Sequence, residues 1–343
     1  MFSLKSTLGP SWLLAALFAA ACGNPAEAFL PHGEGARDAG PTGSVTSFTP
    51  FVPPTAILDL AAGPDGNIWF TNWVDHQVGR VTPAGDFTTF SMPTTATEPS
   101  FISPGPDGNV WFTENEDVHP TADTNRIGRI TPAGKITEFV LPSTGGLDVP
   151  EGIVLGPDGN LWFAAEGNIG RITPAGEVKE FALPDGGYSA WGIAAGLDGN
   201  LWFTLSIEDA IGRMTPAGEF TRFPLPDTGS SLHPQGIVLG SDGNLWFTER
   251  DANKIGRIKP SGDITEFSLP TPDSQPWEIA SGPDGNLWFT EYGAGLIGRL
   301  TPSGQLSEFP SLPVSPNPYA IVAGRDGYLW FSGTAGTLGR MAP

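Results

Sequence analysis

The stretch that decides the fold is Gly282-Pro283-Asp284-Gly285-Asn286-Leu287-Trp288-Phe289-Thr290-Glu291, followed by Ile297-Gly298-Arg299, Thr301-Pro302-Ser303-Gly304 and Leu306-Ser307-Glu308-Phe309. Asp-Gly between two apolar runs supplies the positive φ that a tight hairpin turn demands. In an extended strand the Trp and Phe of the pair point to opposite faces, so the sheet carries an aromatic ring on each side. The second Gly turn and the short alternating segment after it add two more strands. A four-stranded sheet with two apolar faces needs a neighbour on each side.

Those neighbours are in the same chain. Asp-Gly-Asn begins at Asp65, Asp107, Asp158, Asp198, Asp242 and Asp284 and returns as Asp326-Gly327-Tyr328, at steps of 42, 51, 40, 44, 42 and 42 residues. Each copy leads into a Trp-Phe pair and then a Gly-Arg step, from Gly79-Arg80 to Gly339-Arg340. This period, with four short strands per unit, predicts an all-β, seven-bladed β-propeller. The last unit stops at Met341-Ala342-Pro343, where its outer strand should begin, and Val45-Thr46-Ser47-Phe48 reads as that missing strand. The N-terminal strand is therefore expected to pair with the last blade and close the ring over residues 41–343. The Asp-Gly-Asn turns, aromatic pairs and Gly-Arg steps are expected to be structural, since one carboxylate per turn is too few for calcium. The second unit runs 21 residues from Asp107 to Gly128 and should carry a protruding loop around Asn115 to Asn125, with His119.

Composition agrees. Of 343 residues, 46 are Gly and 35 Pro, spaced so closely after Gly23 that helices of useful length are excluded. Hydrophobic residues make up 39%, with 11 Trp and 21 Phe, enough apolar surface to exclude disorder. A formal charge of −20 repels a phosphate backbone, so nucleic acid is excluded as a partner. The chain is expected to be a monomer.

The opening segment reads as an export signal. Lys5 is its positive charge, and Trp12 to Ala21 is an unbroken apolar run, too short to span a bilayer. Cys22, the single cysteine, follows Ala19-Ala20-Ala21 and resembles the lipidated first residue of a bacterial lipoprotein, with Ala19 where Leu is usual. On that reading residues 1–21 are removed, a lipid on Cys22 is the membrane contact, and residues 22–40 form a flexible tether to a cell-envelope propeller. Cleavage after Ala28 would instead give a soluble secreted protein.

Candidate chemistry lies at the ends of the first hairpin of each unit. The residues seven before and seven after each Asp are expected to face one another at the rim of the central channel. The first set is Leu58, Ser100, Glu151, Trp191, Gln235, Trp277 and Tyr319; the second is Asn72, Glu114, Ala165, Leu205, Glu249, Glu291 and Gly333. Both vary where the rest of the unit is monotonous, as a binding surface on a repetitive scaffold does. Flat aromatics among carboxylates stack on ring faces and attract cations.

The repeats Gly-Pro-Asp-Gly-Asn-Leu-Trp-Phe-Thr-Glu, Ile-Gly-Arg-Ile-Thr-Pro-Ala-Gly and Ile-Thr-Glu-Phe resemble those of the streptogramin B lyases, the virginiamycin B lyase family, over residues 41–343. The resemblance implies a seven-bladed propeller and a magnesium-dependent enzyme that opens a cyclic depsipeptide at its ester by elimination. It also implies two site histidines, a glutamate two residues before the second, and a glutamate closing a Trp-Phe-Thr-Glu strand. In this sequence the histidine positions are Gln235 and Trp277, the preceding glutamate is Gln275, and the last carboxylate remains as Glu291. An amide and an indole cannot serve as base or acid near pH 7, and a hard cation loses an anionic ligand. The expectation is a ligand-binding or interaction propeller that takes a small molecule, glycan or peptide through Trp191, Gln235, Trp277, Tyr319 and Glu151. The alternative is a rearranged magnesium lyase using Glu291 as metal ligand, with Glu249 and His233 beside it; a hydrolase built on a glutamate pair also stays open.

Overall fold

The computed structural model describes residues 41–49, 56–94, 97–116, 125–142, 149–184, 189–226, 229, 231–312, 317–333 and 336–343. Lys5, Cys22, the tether and His119 lie outside the described residues. Those described form seven four-stranded antiparallel sheets, and no α-helix occurs among them.

The sixth blade, with strands Pro276–Ser281, Leu287–Glu291, Leu296–Leu300 and Leu306–Pro310, shows what the repeat motifs do. Asp284 Oδ1 accepts from Asn286 N (3.2 Å) and from Trp288 Nε1 (3.0 Å), while Asp284 Oδ2 accepts from Arg299 Nε (3.0 Å). Arg299 lies over the Trp288 ring, and Trp288 stacks on Phe309 at 5.5 Å. Turn, second, third and fourth strands are thus tied together through one indole. Although desolvation opposes it, the bonds from Asn286, Trp288 and Arg299 hold the Asp284 carboxyl below the usual carboxylate range. Gly298 is glycine because the ring of Phe289 lies across its Cα, where a Cβ would fall.

Each blade presents its Trp face to the Phe face of the next. Trp246 of the fifth blade packs with Leu287 and Phe289 of the sixth, and all three are fully buried. The Gly-Arg arginines add a second link between blades: Arg80 Nη1 donates to Pro132 O (2.7 Å), Arg129 Nη1 to Pro174 O (2.9 Å), and Arg340 Nη1 to Pro83 O (2.7 Å). The last of these joins the seventh blade to the first. Closure is completed by Val45–Phe48, which pairs antiparallel with Leu338–Met341, and by Phe48 stacking on Trp330 at 5.1 Å. The N-terminal strand therefore closes the ring as the sequence predicts.

One feature differs from expectation. The residue seven after each Asp pairs with the residue eight before it, as in Pro276↔Glu291 and Pro234↔Glu249. A β-bulge shifts the register of the innermost strand in all seven blades. In the sixth blade Trp277 and Glu278 together oppose Thr290. The threonine hydroxyl fastens the bulge, accepting from Glu278 N (3.0 Å) and donating to Tyr319 O (2.8 Å) on the next innermost strand, while the third blade makes the same shift with Ala164 at this position. Thr248 and Thr204 do the same toward Trp277 O and Gln235 O. The bulge frees two side chains per blade from the ladder, as bulges beside binding sites do.

Candidate functional site

The first bulge residue of each blade is one of the seven first-set positions: Leu58, Ser100, Glu151, Trp191, Gln235, Trp277 or Tyr319. Four of them meet residues eight after an Asp, at or just past the end of a second strand. Asn115 Nδ2 donates to Ser100 Oγ (3.1 Å), Gln235 Nε2 donates to Ser206 Oγ (2.9 Å), Arg250 lies over Trp277, and Tyr292 meets Tyr319 edge to face. These two rings of residues make the channel mouth.

The second expected set is corrected by one residue. Asn72, Glu114, Ala165, Leu205, Glu249, Glu291 and Gly333 are buried, four of them, Glu114, Leu205, Glu249 and Glu291, completely. Alternation turns them into the interface between blades, on the same face as the Phe of the aromatic pair. Burial pushes the Glu249 carboxyl up to about 8, helped by Glu266 and Asp209 and opposed by Lys254. Burial likewise pushes Glu291 to about 7, with Ser274 opposing and Glu308 adding repulsion, and Glu114 to about 8, with Thr97 Oγ1 donating to it at 2.9 Å. Neither oxygen of Glu249 takes a hydrogen bond.

His233, the displaced-base candidate, is held in a left-handed backbone conformation at φ 45 by Asp209, which accepts from His233 N (2.9 Å). Its ring Nδ1 bonds Asp251 Oδ2 at 2.6 Å, with both side chains more than a third exposed. The structure thus joins His233 to Asp251 and not to the buried glutamates. Gln275 adopts the same backbone conformation at φ 48.

Two aromatic clusters divide the mouth. Trp191 turns inward and meets Phe101 edge to face at 5.7 Å, and its Nε1 has no hydrogen-bond partner. Trp277 stays at the mouth, 4.8 Å from Tyr319 and 6.0 Å from Tyr292, with the Arg250 guanidinium 4.7 Å from its ring centroid. Gln235 is only 6% exposed, and its Oε1 lacks a partner. Carboxylates complete the wall. Burial and nearby Glu166 push Glu151 to about 8, and burial and nearby Asp59 push Glu278 to about 8. Burial pushes Asp59 to about 7, although Asp59 accepts from Ile102 N (2.9 Å) and Leu60 N (2.8 Å). Burial, then Glu278 and Glu151, raise the Tyr319 phenol above its ordinary value, and Arg250 opposes them.

Arg250, Tyr292, Ser206 and Glu166 were not among the expected site residues. The signal for them was present, because the residue after Trp-Phe-x-x also varies from unit to unit: Trp73, Asn115, Glu166, Ser206, Arg250, Tyr292.

The residues present do not fit magnesium. Glu291 points into a blade interface, Gln275 is neutral, and among the described residues no three His, Cys, Asp or Glu side chains converge.

The model of the Virginiamycin B lyase family matches residues 36–168 and 149–343. Among solved structures, selenomethionine-substituted virginiamycin B lyase from Staphylococcus aureus is 36% identical with a TM-score of 0.79, over 88% of this chain and 99% of that one. A catalytically inactive histidine-to-alanine variant of the staphylococcal enzyme with quinupristin matches equally, at 36% identity, TM-score 0.79, and 88% and 99% coverage. A streptogramin B lyase is 33% identical, with a TM-score of 0.79 over 87% of this chain and 96% of that one. The WD40 β-propeller domain of Doa1, 11% identical with a TM-score of 0.68 over 88% and 96% of the two chains, shares the fold alone. A search of the curated proteins finds no match.

Proposed function

The chain belongs to the virginiamycin B lyase family, and from that premise we propose that it is a binding member, a propeller that holds a small molecule, glycan or peptide at the channel mouth without the family's elimination chemistry. The observation that carries this reading is Trp277, packed against Tyr319 and under Arg250 where the resemblance expects an imidazole. That arrangement suits ring faces and ligand charge. Neither an indole nor the Gln235 amide exchanges a proton near neutral pH. The staphylococcal relative adds support: with one histidine changed to alanine that protein is catalytically inactive, and it is found with quinupristin. The opening apolar run and Cys22 support export and a lipid anchor at the bacterial cell envelope, with cleavage after Ala28 giving a soluble form instead.

Purified protein incubated with quinupristin, with and without magnesium, tests the reading. The expected chromatogram contains intact depsipeptide only. Magnesium-dependent linear product overturns the proposal and favours the rearranged lyase, for which the raised pKa of Glu291 would supply a base. In that case Glu291→Gln abolishes turnover.

A further inference from the structure

Acidic side chains outnumber basic ones 37 to 17, so a guanidinium in this protein has carboxylates to choose from. Eight arginines among the described residues lie over aromatic rings. Seven of them are the Gly-Arg arginines, and each donates to the Asp of its own turn or to a proline carbonyl of the next blade, as Arg299 does to Asp284 and Arg129 to Pro174 O. The eighth is Arg250, at the mouth. Its guanidinium lies 4.7 Å from the Trp277 centroid, closer than any of the others to its tryptophan, yet its side chain donates no hydrogen bond among the described residues.

Arg250 is nonetheless held in place. Its N donates to His233 O (3.2 Å), and Asp251 N donates to Leu232 O (3.1 Å), so the backbone is pinned to the segment entering the same blade. Asp251, the adjacent carboxylate, bonds the His233 ring at 2.6 Å and stays 3.9 Å from Arg250 Nε. The guanidinium rests on the indole with Nε closed off, and about a third of the side chain is exposed, so the unpartnered Nη1 and Nη2 are what reaches solvent. These two nitrogens form the fork that takes both oxygens of one carboxylate. Beside them the rings of Trp277, Tyr319 and Tyr292 follow one another at 4.8 and 6.1 Å, each only half-buried. Burial, with Asp59 adding repulsion, pushes Glu278 to about 8, so this neighbour of Trp277 is largely protonated at pH 7 and repels an anion little.

We propose that Arg250 is the anion-recognition residue of the mouth, binding the carboxylate of a small aromatic acid in the fork of Nη1 and Nη2 while the ligand's ring lies against Trp277, Tyr292 and Tyr319. This rests on the ligand-binding reading above and narrows it from three classes to one. A carboxylate is favoured over a phosphate on two grounds. One guanidinium matches one negative charge, and among the described residues no other cation lies over these three rings. A dianion would also meet twice the repulsion from a protein of formal charge −20. For a monoanion that field is screened over about 8 Å at physiological ionic strength, and the contact with Arg250 decides.

The test is calorimetric titration of the protein with phenylacetate, its neutral isostere phenylacetamide, the cation phenethylamine, and phenyl phosphate. Phenylacetate is expected to bind about tenfold or more tightly than the amide, the scale of one charge-assisted bond. Arg250→Met should bring acid and amide level, and Arg250→Lys, which keeps the charge and loses the fork, should retain only part of the difference. Trp277→Ala should weaken both ligands. Equal affinity for acid and amide, no binding of phenylacetate at millimolar concentration, or a preference for the acid that survives Arg250→Met overturns the proposal. Tighter binding of phenyl phosphate or phenethylamine overturns the carboxylate as the recognised group. Binding of cello-oligosaccharides or quinupristin but no aromatic acid, lost in Trp277→Ala, overturns the aromatic acid and leaves the mouth as a binding site. Binding of none of them overturns both.

Discussion

The Arg250 guanidinium sits 4.7 Å from the centroid of the Trp277 ring, and the two residues come from neighbouring blades. Arg250 follows the end of Leu245–Glu249, whereas Trp277 occupies the first bulge position of Pro276–Ser281. A cation over an indole at a partly exposed site is worth about 0.5–1 kcal/mol. The pair therefore contributes little to the fold, and each member is free to serve a ligand.

Trp277→Ala should accordingly leave the fold standing and remove binding. The indole is half-buried and contacts Tyr319, Tyr292 and Arg250 but no blade core. The expected loss is about 1–2 kcal/mol of stability, a small drop in Tm for a chain of this size, with retention of any mouth ligand falling at least about tenfold. Calorimetry and a binding titration on the same preparation separate the two effects.

Gly298→Ala should be far more damaging than its size suggests, because its Cβ falls within the Phe289 ring, which is itself locked against Trp246. Overpacking of this kind costs about 1–3 kcal/mol or more. Ala at the turn position Gly285, where nothing but a serine side chain approaches, should cost less and act through its positive φ alone. Chemical denaturation of both variants gives the ranking.

The buried Glu249 should make the protein less stable as pH rises. Its folded pKa of about 8 lies above the ordinary value of 4.5, so between these values the unfolded chain gives up a proton that the folded chain keeps. Stability falls through that window with a limiting slope of about 1.4 kcal/mol per pH unit for one such group. Glu249→Gln should flatten part of the slope and raise Tm at pH 9 relative to the unchanged protein. Equal Tm differences at pH 5 and pH 9 would show that Glu249 is ionised in the fold.

His233→Ala should change little. The imidazole bonds a carboxylate that is itself exposed, and such pairs contribute about 0–1 kcal/mol. A variant with unchanged binding at the mouth excludes His233 as a site residue; loss of binding would bring it into the site.

The repeat, the strand count and the closing strand were legible because each rests on local chemistry. Asp284, Gly285 and Trp288 interact within one turn, and Val45–Phe48 carries the pattern of the strand it replaces. The site was legible only to within one residue. Trp191, Gln235, Trp277, Tyr319 and Glu151 occupy the first bulge positions, with Trp191 turned onto Phe101, and the side chains that meet Trp277 and Tyr319 are Arg250 and Tyr292 and not Glu249 and Glu291. The offset comes from the bulge, which the third blade makes with Ala164 where the sixth has Thr290, so no single residue type in the hairpin marks it.

The pairing of Val45–Phe48 with Leu338–Met341 has a consequence for how the protein is made. The first strand to emerge from the ribosome must wait, edge open, until the last has been delivered. The seventh sheet cannot assemble on a partial product. A truncated translation product would thus display an unsatisfied strand at one end and an unfinished sheet at the other, and would be a ready target for quality control or for pairing with a second copy.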